Sequence, residues 1–218
     1  MTDLTASLNR GVDGTGPRKW LFAAMLGRIT ARHEPYVADR KRRLLGELGG
    51  STVLEIGPGT GVNLAYLPPG ARWVGIEPNA YLRRRLLAEA ARRGVDAEVR
   101  AGTAERLPTA DGSVDAVVST LVLCSVPDQA AALAEIRRVL RPGGRFVFVE
   151  HVAAPKGTLM RHAQELATPL WSALADGCHP ARDTLAAIER AGFARVEHES
   201  FDVPAALSSP HVAGVAVR

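Results

Sequence analysis

Cysteine, aromatic residues and long apolar runs are all scarce in this sequence, and each scarcity argues against a class of protein. Only two cysteines, Cys124 and Cys178, occur in 218 residues, and their separation matches neither a metal motif nor a disulfide framework. No apolar run approaches the ~20 residues that cross a bilayer. Nothing at the amino end resembles a secretory signal. We therefore expect a cytoplasmic protein with no metal and no integral membrane segment.

The excess of positive charge is also small, with 27 Lys and Arg against 23 Asp and Glu, a net charge of +4. The densest basic runs, at residues 40–43 and 83–85, fall within helical patterns. Neither is interleaved with the aromatic residues on which single-stranded bases stack. The runs are typical of solvated helix faces, so we expect no nucleic-acid partner.

Short apolar runs alternate with amphipathic segments from residue 52 onward. The runs are bounded by glycine and proline, and lie at residues 53–56, 73–76, 97–99, 116–118 and 146–149. Helical patterns at residues 80–93 and 129–140 stand between them. This alternation predicts buried parallel strands with crossover helices, an α/β fold with a doubly wound, Rossmann-like sheet. Residues 196–201 and 212–217 are predicted to be a closing pair of strands.

The hydrophobic content of 46% and the length favour one domain with additions at its amino end. Residues 1–17 combine glycine and proline with polar neighbours, which predicts a flexible arm. Residues 18–50 contain two helical patterns, 18–32 and 36–48, separated at Pro35, and are predicted to form a helical lid. The remaining residues, 51–218, form the domain, with a helical insertion near 156–180 that contains a helix at 159–175. A further helix is predicted at 181–191.

The sharpest motif is a glycine-rich turn, Gly57-Pro58-Gly59-Thr60-Gly61, between the first strand and a predicted helix. Glycines permit positive φ and allow a ligand to lie against bare backbone, and amides at a helix start attract electron-rich groups. The pattern therefore indicates a nucleoside site. Glu77, which closes the second strand, can accept hydrogen bonds from two ribose hydroxyls. Nicotinamide-binding domains share both features, so these residues leave the ligand open.

Two further segments separate these alternatives. They are Gly102-Thr103-Ala104-Glu105-Arg106-Leu107-Pro108, after the third strand, and Val139-Leu140-Arg141-Pro142-Gly143-Gly144, before the fifth. In this order, with Glu55 ahead of the glycine turn, they resemble the class I S-adenosylmethionine-dependent methyltransferases. The resemblance implies a seven-stranded methyltransferase sheet whose last strand is antiparallel, and S-adenosylmethionine as the cofactor, with S-adenosylhomocysteine as its product.

The same resemblance assigns a set of cofactor-binding residues. They are Glu55, Gly57, Gly59, Gly61, Asn63, Glu77, Pro78, Thr103, Ala104, Glu105, Thr120 and Leu121. The glycines would line the methionine part, Glu55 would sit near its ammonium group, and Glu77 would hold the ribose. Thr103 stands where many members of the family have an aspartate that binds the adenine amino group.

Downstream segments resemble a narrower group, the methyltransferase-like alkyl thiol S-methyltransferases of animals. The segments are Leu121-Val122-Leu123-Cys124-Ser125-Val126, Glu150-His151-Val152-Ala153, Pro169-Leu170-Trp171, Asp176-Gly177-Cys178 and Pro210-His211. This resemblance implies a small thiol as the methyl acceptor. The sequence lacks the apolar amino-terminal anchor of those membrane-bound relatives, so we expect a soluble protein.

Two histidines are candidate catalytic bases. His151 follows the fifth strand, at the sheet edge where ligands bind in open α/β folds, and its pKa suits proton transfer near neutrality. His211 opens the last strand. For both residues a structural role stays open, and His179 beside Cys178 lacks a partner with metal-ligand spacing.

The acceptor pocket is predicted to be lined by Tyr36, Cys124, Trp171 and Cys178. Trp171 on the insertion helix would form an apolar roof together with Leu166 and Leu174. Packing in the core remains an alternative for Trp171 and both cysteines.

Methyl transfer from a sulfonium mainly requires alignment and exclusion of water. The residues therefore permit O-, N- or C-methylation as well as a thiol acceptor. A nucleic-acid methyltransferase would carry an Asn-Pro-Pro-Tyr-like motif after the fourth strand, which residues 119–126 lack. A non-catalytic protein that binds S-adenosylmethionine and supports a partner subunit is the alternative from another class, and the intact glycine turn argues against lost cofactor binding.

Overall fold

Seven strands make up a single sheet in the computed structural model, which describes residues 14–218. In chain order they are β1 (Thr52–Ile56), β2 (Arg72–Ile76), β3 (Asp96–Arg100), β4 (Val114–Thr120), β5 (Leu140–His151), β6 (Arg195–Asp202) and β7 (Pro210–Val217). Across the sheet their order is β3-β2-β1-β4-β5-β7-β6, and β7 runs antiparallel to the other six. The predicted doubly wound sheet with a closing pair of strands is thus confirmed.

Helices cover both faces of this sheet. They are α1 (Pro17–Gly46), α2 (Ala80–Arg93), α3 (Gln129–Val139), α4 (Leu159–Leu174) and α5 (Thr184–Arg190). Because successive strand residues point to opposite faces, Leu54 packs in the layer that contains α3 and α5, whereas Val53 packs with the end of α1 and with α2. Among the described residues no helix is long and apolar enough to cross a membrane.

The amino-terminal helix corrects one sequence prediction. The two predicted helices are one, because α1 runs for 30 residues with Pro35 in its interior. An interior proline costs about 3 kcal/mol, since it removes a hydrogen bond and crowds the preceding turn. Burial on both sides of the proline offsets that cost, with Ala23 before it and Val37 and Leu45 after it buried in the domain.

The start of the described chain corrects another prediction. Residues 1–13 of the predicted flexible arm lie outside the described residues. Gly14, however, is held against the domain, because its N–H donates to the Pro78 carbonyl at 3.0 Å. Pro17 already belongs to α1, at a position in the first turn where a helix needs no N–H donor.

Candidate active site

The candidate site lies where the strand order reverses, between β1 and β4. In open α/β sheets this reversal leaves a crevice at the carboxyl ends of the strands. Gly57 follows β1, Glu77 follows β2, Leu121 follows β4, and His151 ends β5. The sheet therefore brings the predicted cofactor residues and one predicted base to the same edge.

The glycine turn after β1 requires glycine for two separate reasons. Gly57, Gly59 and Gly61 all have positive φ, at 55°, 57° and 78°. In addition, a Cβ on Gly57 would lie 2.8 Å from Cγ2 of Val122, in the loop after β4. The turn leads into a short 3-10 helix, Val62–Ala65, rather than the predicted α-helix. Pro68 and Pro69 follow after two more residues, and proline cannot continue a helix.

Glu77 links the glycine turn to the end of β2. Its carboxylate is buried and accepts the Gly59 N–H at 3.1 Å and the Asn79 N–H at 2.8 Å, one on each oxygen. Burial raises the pKa of Glu77, and the two backbone hydrogen bonds oppose that rise. A carboxylate has about four lone-pair sites, so two remain for a ribose diol. The observed contacts therefore fit the predicted ribose role.

Beneath the turn, Glu55 is held by two side-chain donors. Asn63 Nδ2 donates to Glu55 Oε1 at 2.8 Å, and Trp73 Nε1 donates to Oε2 at 2.9 Å. Burial raises the pKa of Glu55 to about 7, even though both hydrogen bonds lower it. Asn63 Nδ2 also donates to Thr120 Oγ1 at 2.9 Å, while its Oδ1 is buried without a partner within residues 14–218. Asn63 Oδ1 is thus an acceptor left over for a ligand with N–H groups.

The remaining predicted cofactor residues lie in the loops after β3 and β4. Ala104 is buried, and Glu105 Oε1 accepts the Asp128 N–H at 3.5 Å. Thr103 forms an isolated β-bridge with Arg106, which closes its turn. Leu121 has a φ of 57°, a conformation that non-glycine residues rarely adopt. Such strain is often found at functional sites, and here it turns the chain directly above the strand edge.

Helix α1 crosses this edge through residues that the sequence did not single out. A Cβ on Gly59 would lie 3.0 Å from Cδ2 of Leu26, and the Lys19 carbonyl accepts from Asn79 Nδ2 at 3.1 Å. Tyr36, the lid residue predicted to close the pocket, is instead 48% exposed. No motif marked Lys19 or Leu26, because only the fold brings α1 to the glycine turn.

A cluster of two thiols and an imidazole forms the other half of the site. Nε2 of His151 lies 3.0 Å from Sγ of Cys178, and these two atoms and the Cys124 sulfur all lie within 4.8 Å of one another. The three residues come from the end of β5, the loop after β4 and the loop after α4. This grouping could not be predicted from the sequence, because the two cysteines lie far apart in it. The three atoms are placed as metal ligands could be, which the spacing of these residues in the sequence did not indicate.

The Cys178 loop is fixed by backbone contacts. Gly177 has a φ of 88°, and a Cβ there would lie 3.2 Å from the Ser125 carbonyl. The His179 N–H donates to the Cys124 carbonyl at 3.0 Å. Asp176, in the same loop, pairs with Lys19 of α1. The loop therefore packs onto the β4 loop and is joined to α1.

Neighbouring groups shift the pKa values of the two thiols in opposite directions. The Cys124 thiol, together with His151 and the Trp171 indole, lowers the pKa of Cys178 well below its usual range, although burial opposes this. The pKa of Cys124 is raised correspondingly by the Cys178 sulfur and by burial. The arrangement favours a thiolate at Cys178 and a thiol at Cys124.

The second predicted base, His211, is engaged at both ring nitrogens. Nδ1 lies 2.9 Å from the Ser209 carbonyl and Nε2 lies 3.0 Å from Nε2 of His33. Since a carbonyl only accepts, Nδ1 carries the proton and Nε2 accepts from His33. Burial lowers the pKa of His211 to about 4. His211 therefore has no lone pair free for a substrate proton.

The insertion helix α4 does not present the predicted apolar roof. Leu166 and Leu174 are 86% and 76% exposed, and that part of the prediction is wrong. The buried face of α4 is polar instead, because the Gln164 amide accepts the Ala154 N–H and donates to the Leu207 carbonyl, both at 2.8 Å. Trp171 alone of the three turns toward Cys178.

Comparison with known proteins agrees with this geometry. A family profile described as "Methyltransferase domain" matches residues 54–148. The human protein named thiol S-methyltransferase TMT1A is 39% identical over 213 residues, a match that spans 92% of this chain and 87% of the relative. Human thiol S-methyltransferase TMT1B is 35% identical over 212 residues, with the same two shares.

Solved structures share the fold at lower identity. The putative methyltransferase bound to the Haloferax volcanii Trm112 activator matches with a TM-score of 0.69 at 23% identity, over 90% of this chain and 96% of that chain. A SAM-dependent methyltransferase from Aquifex aeolicus matches with a TM-score of 0.59 at 16% identity, over 88% and 97%. The [4+2]-cyclase SpnF matches as well, with a TM-score of 0.66 at 20% identity over 83% and 80%. One fold thus supports different chemistries, and the site must decide among them.

Proposed function

The chain belongs to the family of the thiol S-methyltransferases TMT1A and TMT1B, and we propose that this S-adenosylmethionine-dependent methyltransferase methylates the sulfur of a small thiol. When bound, S-adenosylmethionine supplies a methyl group already activated on a sulfonium. The residues of this chain then have to bind the donor, align the acceptor and remove its proton.

Donor binding falls to the strand edge between β1 and β4. The free lone pairs of Glu77 hold the ribose hydroxyls, and the bare backbone of Gly57 and Gly59 lies along the methionine part. The unpartnered Oδ1 of Asn63 receives a hydrogen bond from the ammonium group, so Glu55 acts mainly by orienting Asn63. Thr103 to Glu105 flank the adenine, and Thr120 and Leu121 pass beneath the sulfonium.

The acceptor lies against His151. Two properties of that imidazole support this placement, its burial and the lack of a hydrogen-bond partner at Nδ1 among the described residues. His151 is 4% exposed, and its Nδ1 has no hydrogen-bond partner among residues 14–218. In the tautomer with its proton on Nε2, this unpartnered Nδ1 has a lone pair that can take one proton from a thiol, whose pKa of about 8.5 lies close to neutrality. His211, with both nitrogens engaged, holds His33 in place rather than acting as a base.

Cys124, Cys178 and Trp171 complete the acceptor pocket beside His151. A cytoplasmic setting suits this chemistry, because a reducing compartment keeps both free cysteines as thiols. Tyr36 stays a predicted pocket residue that would have to turn inward when substrate binds.

A panel of acceptors with isotopically labelled S-adenosylmethionine tests the proposal. Alkyl and aryl thiols, phenols, amines and carbon acids are offered at equal concentration, and label transfer to each is quantified. We expect transfer to small apolar thiols above all others. Transfer to a phenol or an amine with none to any thiol would assign the chain to O- or N-methylation.

A further inference from the structure

The contact between His151 and Cys178 has a consequence for the proton transfer. We propose that Cys178 is a positioning residue whose sulfur holds the imidazole of His151 with Nε2–H directed at it, so that Nδ1 faces the acceptor thiol as the base. The inference rests on the proposed function, and it concerns how the same site removes the proton.

The contact itself is short and is built from segments far apart in sequence. Nε2 of His151 and Sγ of Cys178 are 3.0 Å apart, close for a hydrogen bond to sulfur. His151 lies in the β5–β7 register, opposite His211, so its backbone cannot shift easily. Cys178 is held by the backbone bond from His179 to Cys124. Both partners are therefore rigidly placed.

Donors surround the Cys178 sulfur. The indole N–H of Trp171 is buried and makes no hydrogen bond of normal geometry within the described part of the chain, yet it lies near enough to stabilise the Cys178 thiolate. An indole N–H can only donate. The Cys124 thiol approaches from the opposite loop and acts in the same sense. With Nε2 of His151 3.0 Å away, the Cys178 sulfur can serve as the acceptor of the imidazole N–H.

A sulfur that accepts determines the tautomer of His151. Neutral imidazole carries one N–H, so donation from Nε2 leaves the lone pair on Nδ1. That atom is the buried one without a partner. Besides the two cysteines, the titratable groups facing the ring are His211, whose centroid is 6.2 Å away, and His33 and Glu150, which interact with it electrostatically. The Cys178 sulfur lies 3.0 Å from Nε2, and as a thiolate it stabilises the imidazolium that forms.

The step balances without any further reactant. The acceptor S–H bond breaks, and its proton moves to Nδ1 of His151. The acceptor sulfur forms a bond to the methyl carbon while the bond from that carbon to the sulfonium breaks, returning its electron pair to the donor's sulfur. The imidazolium then loses its proton to water, and Cys178 remains unmodified throughout.

Acceptors of different acidity test this role. Wild type, Cys178→Ser, Cys178→Asp and His179→Ala are compared by kcat/KM, with one alkyl thiol and one aryl thiol that is already ionised at the assay pH. Cys178→Ser should lower kcat/KM for the alkyl thiol by about 10- to 100-fold and for the aryl thiol by less than about 3-fold. Cys178→Asp, which restores an anion, should recover most of the alkyl thiol rate, and His179→Ala should match wild type.

Several results would overturn the role of Cys178. Equal losses with both thiols would mean that the residue only maintains structure, and no loss with the alkyl thiol would mean that it is dispensable. One equivalent of tightly bound zinc in the active protein, or a Cys124–Cys178 disulfide in it, would show that the sulfur is engaged elsewhere. If wild type methylates no thiol at all, the proposed function fails first, which the same assay shows directly.

Discussion

Nζ of Lys19 on α1 lies 2.7 Å from Oδ1 of Asp176, two residues before Cys178. Burial raises the pKa of Glu77, on the predicted donor side of the site, and the same ammonium opposes that rise. One residue of α1 therefore interacts with both the proposed donor half and the proposed acceptor half of the site. This relationship gives a physical reason for α1 to close when both halves are filled.

Hydrogen exchange should report that closure. Amides of residues 20–36 should exchange more slowly when S-adenosylmethionine or its product is added, because ligand burial favours the closed lid. Lys19→Ala should speed exchange there in both states. The effect should be modest, since a partly exposed ion pair contributes about 0 to 1 kcal/mol.

Arg42→Ala is the matched control, because Arg42 pairs with Asp39 on the same helix but at an exposed position away from the site. It should leave exchange at residues 20–36 unchanged. Equal exchange with and without ligand in wild type would count against a moving lid.

Removal of the Glu77 carboxylate should weaken cofactor binding. Two charge-assisted hydrogen bonds to ribose are lost in Glu77→Ala, each worth about 1.5 to 3 kcal/mol, so affinity for S-adenosylmethionine should fall at least about tenfold. Calorimetric titration measures it, with Glu197→Ala, an exposed carboxylate on β6, as the control. Because Glu77 also accepts two backbone bonds, the melting temperature is measured alongside. Unchanged affinity in a folded variant would show that another group holds the ribose.

Alanine substitution at two glycines with similar φ distinguishes the cost of backbone strain from the cost of side-chain crowding. Gly57 and Gly143 have φ of 55° and 74°, but a Cβ at Gly57 meets Val122 at 2.8 Å whereas one at Gly143 meets nothing within 4 Å. Backbone strain should cost both alanine variants about 1 kcal/mol of stability, and Gly57→Ala should lose more because its Cβ crowds Val122. Gly57→Ala should also weaken binding of S-adenosylmethionine by about tenfold or more, since the turn must shift. Equal affinities in the two variants, measured by calorimetry, would place the donor away from Gly57.

The sheet, and the position of the glycine turn and Glu77 at its edge, could be predicted because they depend on local patterns. The runs of Val53, Val74 and Val147 mark strands by their neighbours alone, and the glycines of the turn carry a conformational requirement visible in the sequence. The interior proline of α1 was mispredicted because local rules place a boundary at Pro35, and burial across it decides otherwise.

The acceptor side depends on contacts between distant segments. Cys124 and Cys178 show no spacing signal, and only the β4 loop and the α4 loop bring them to His151. Helix α4 buries its polar face, whereas an amphipathic helix ordinarily buries its apolar face. Leu166 and Leu174 therefore point to solvent. His33 carries no motif either, and its contact with His211 follows from the path of α1.

Acid should destabilise the fold through His211. Burial lowers its pKa from 6.5 to about 4, so between these values the unfolded chain binds a proton that the folded chain does not. The free energy of unfolding therefore falls as pH drops from 6.5 to 4, by up to about 3 kcal/mol from this residue.

Other buried groups also change the free energy of unfolding with pH. The contribution of His211 is therefore measured as the difference between wild type and a His211 variant. The pKa of His33 is lowered in the same sense, whereas those of Glu55 and Glu150 are raised to about 7 and act in the opposite sense. Denaturant unfolding of wild type and His211→Gln across this range isolates the contribution. The gap between the two curves should change with pH in favour of the variant at low pH, and a constant gap would mean that His211 is not buried neutral.

Loss of the His151 imidazole tests the proposed base directly. With an alkyl thiol acceptor, His151→Ala should lower turnover by about 10²-fold or more at pH 7, because a mostly protonated thiol then has no group to take its proton. Turnover should recover in part at high pH, where the thiol ionises unaided. Affinity for S-adenosylmethionine should stay nearly constant, since the predicted donor contacts lie elsewhere.

His162→Ala provides the comparison, because His162 is an exposed histidine on α4 whose Nδ1 contacts only its own helix at Thr158. It should retain wild-type turnover at every pH. A His151 variant that is equally slow across the pH range would assign the imidazole a structural role. A pH-dependent rescue, by contrast, is specific for a missing base, because raising the pH supplies the acceptor thiolate and does nothing to rebuild a misplaced loop.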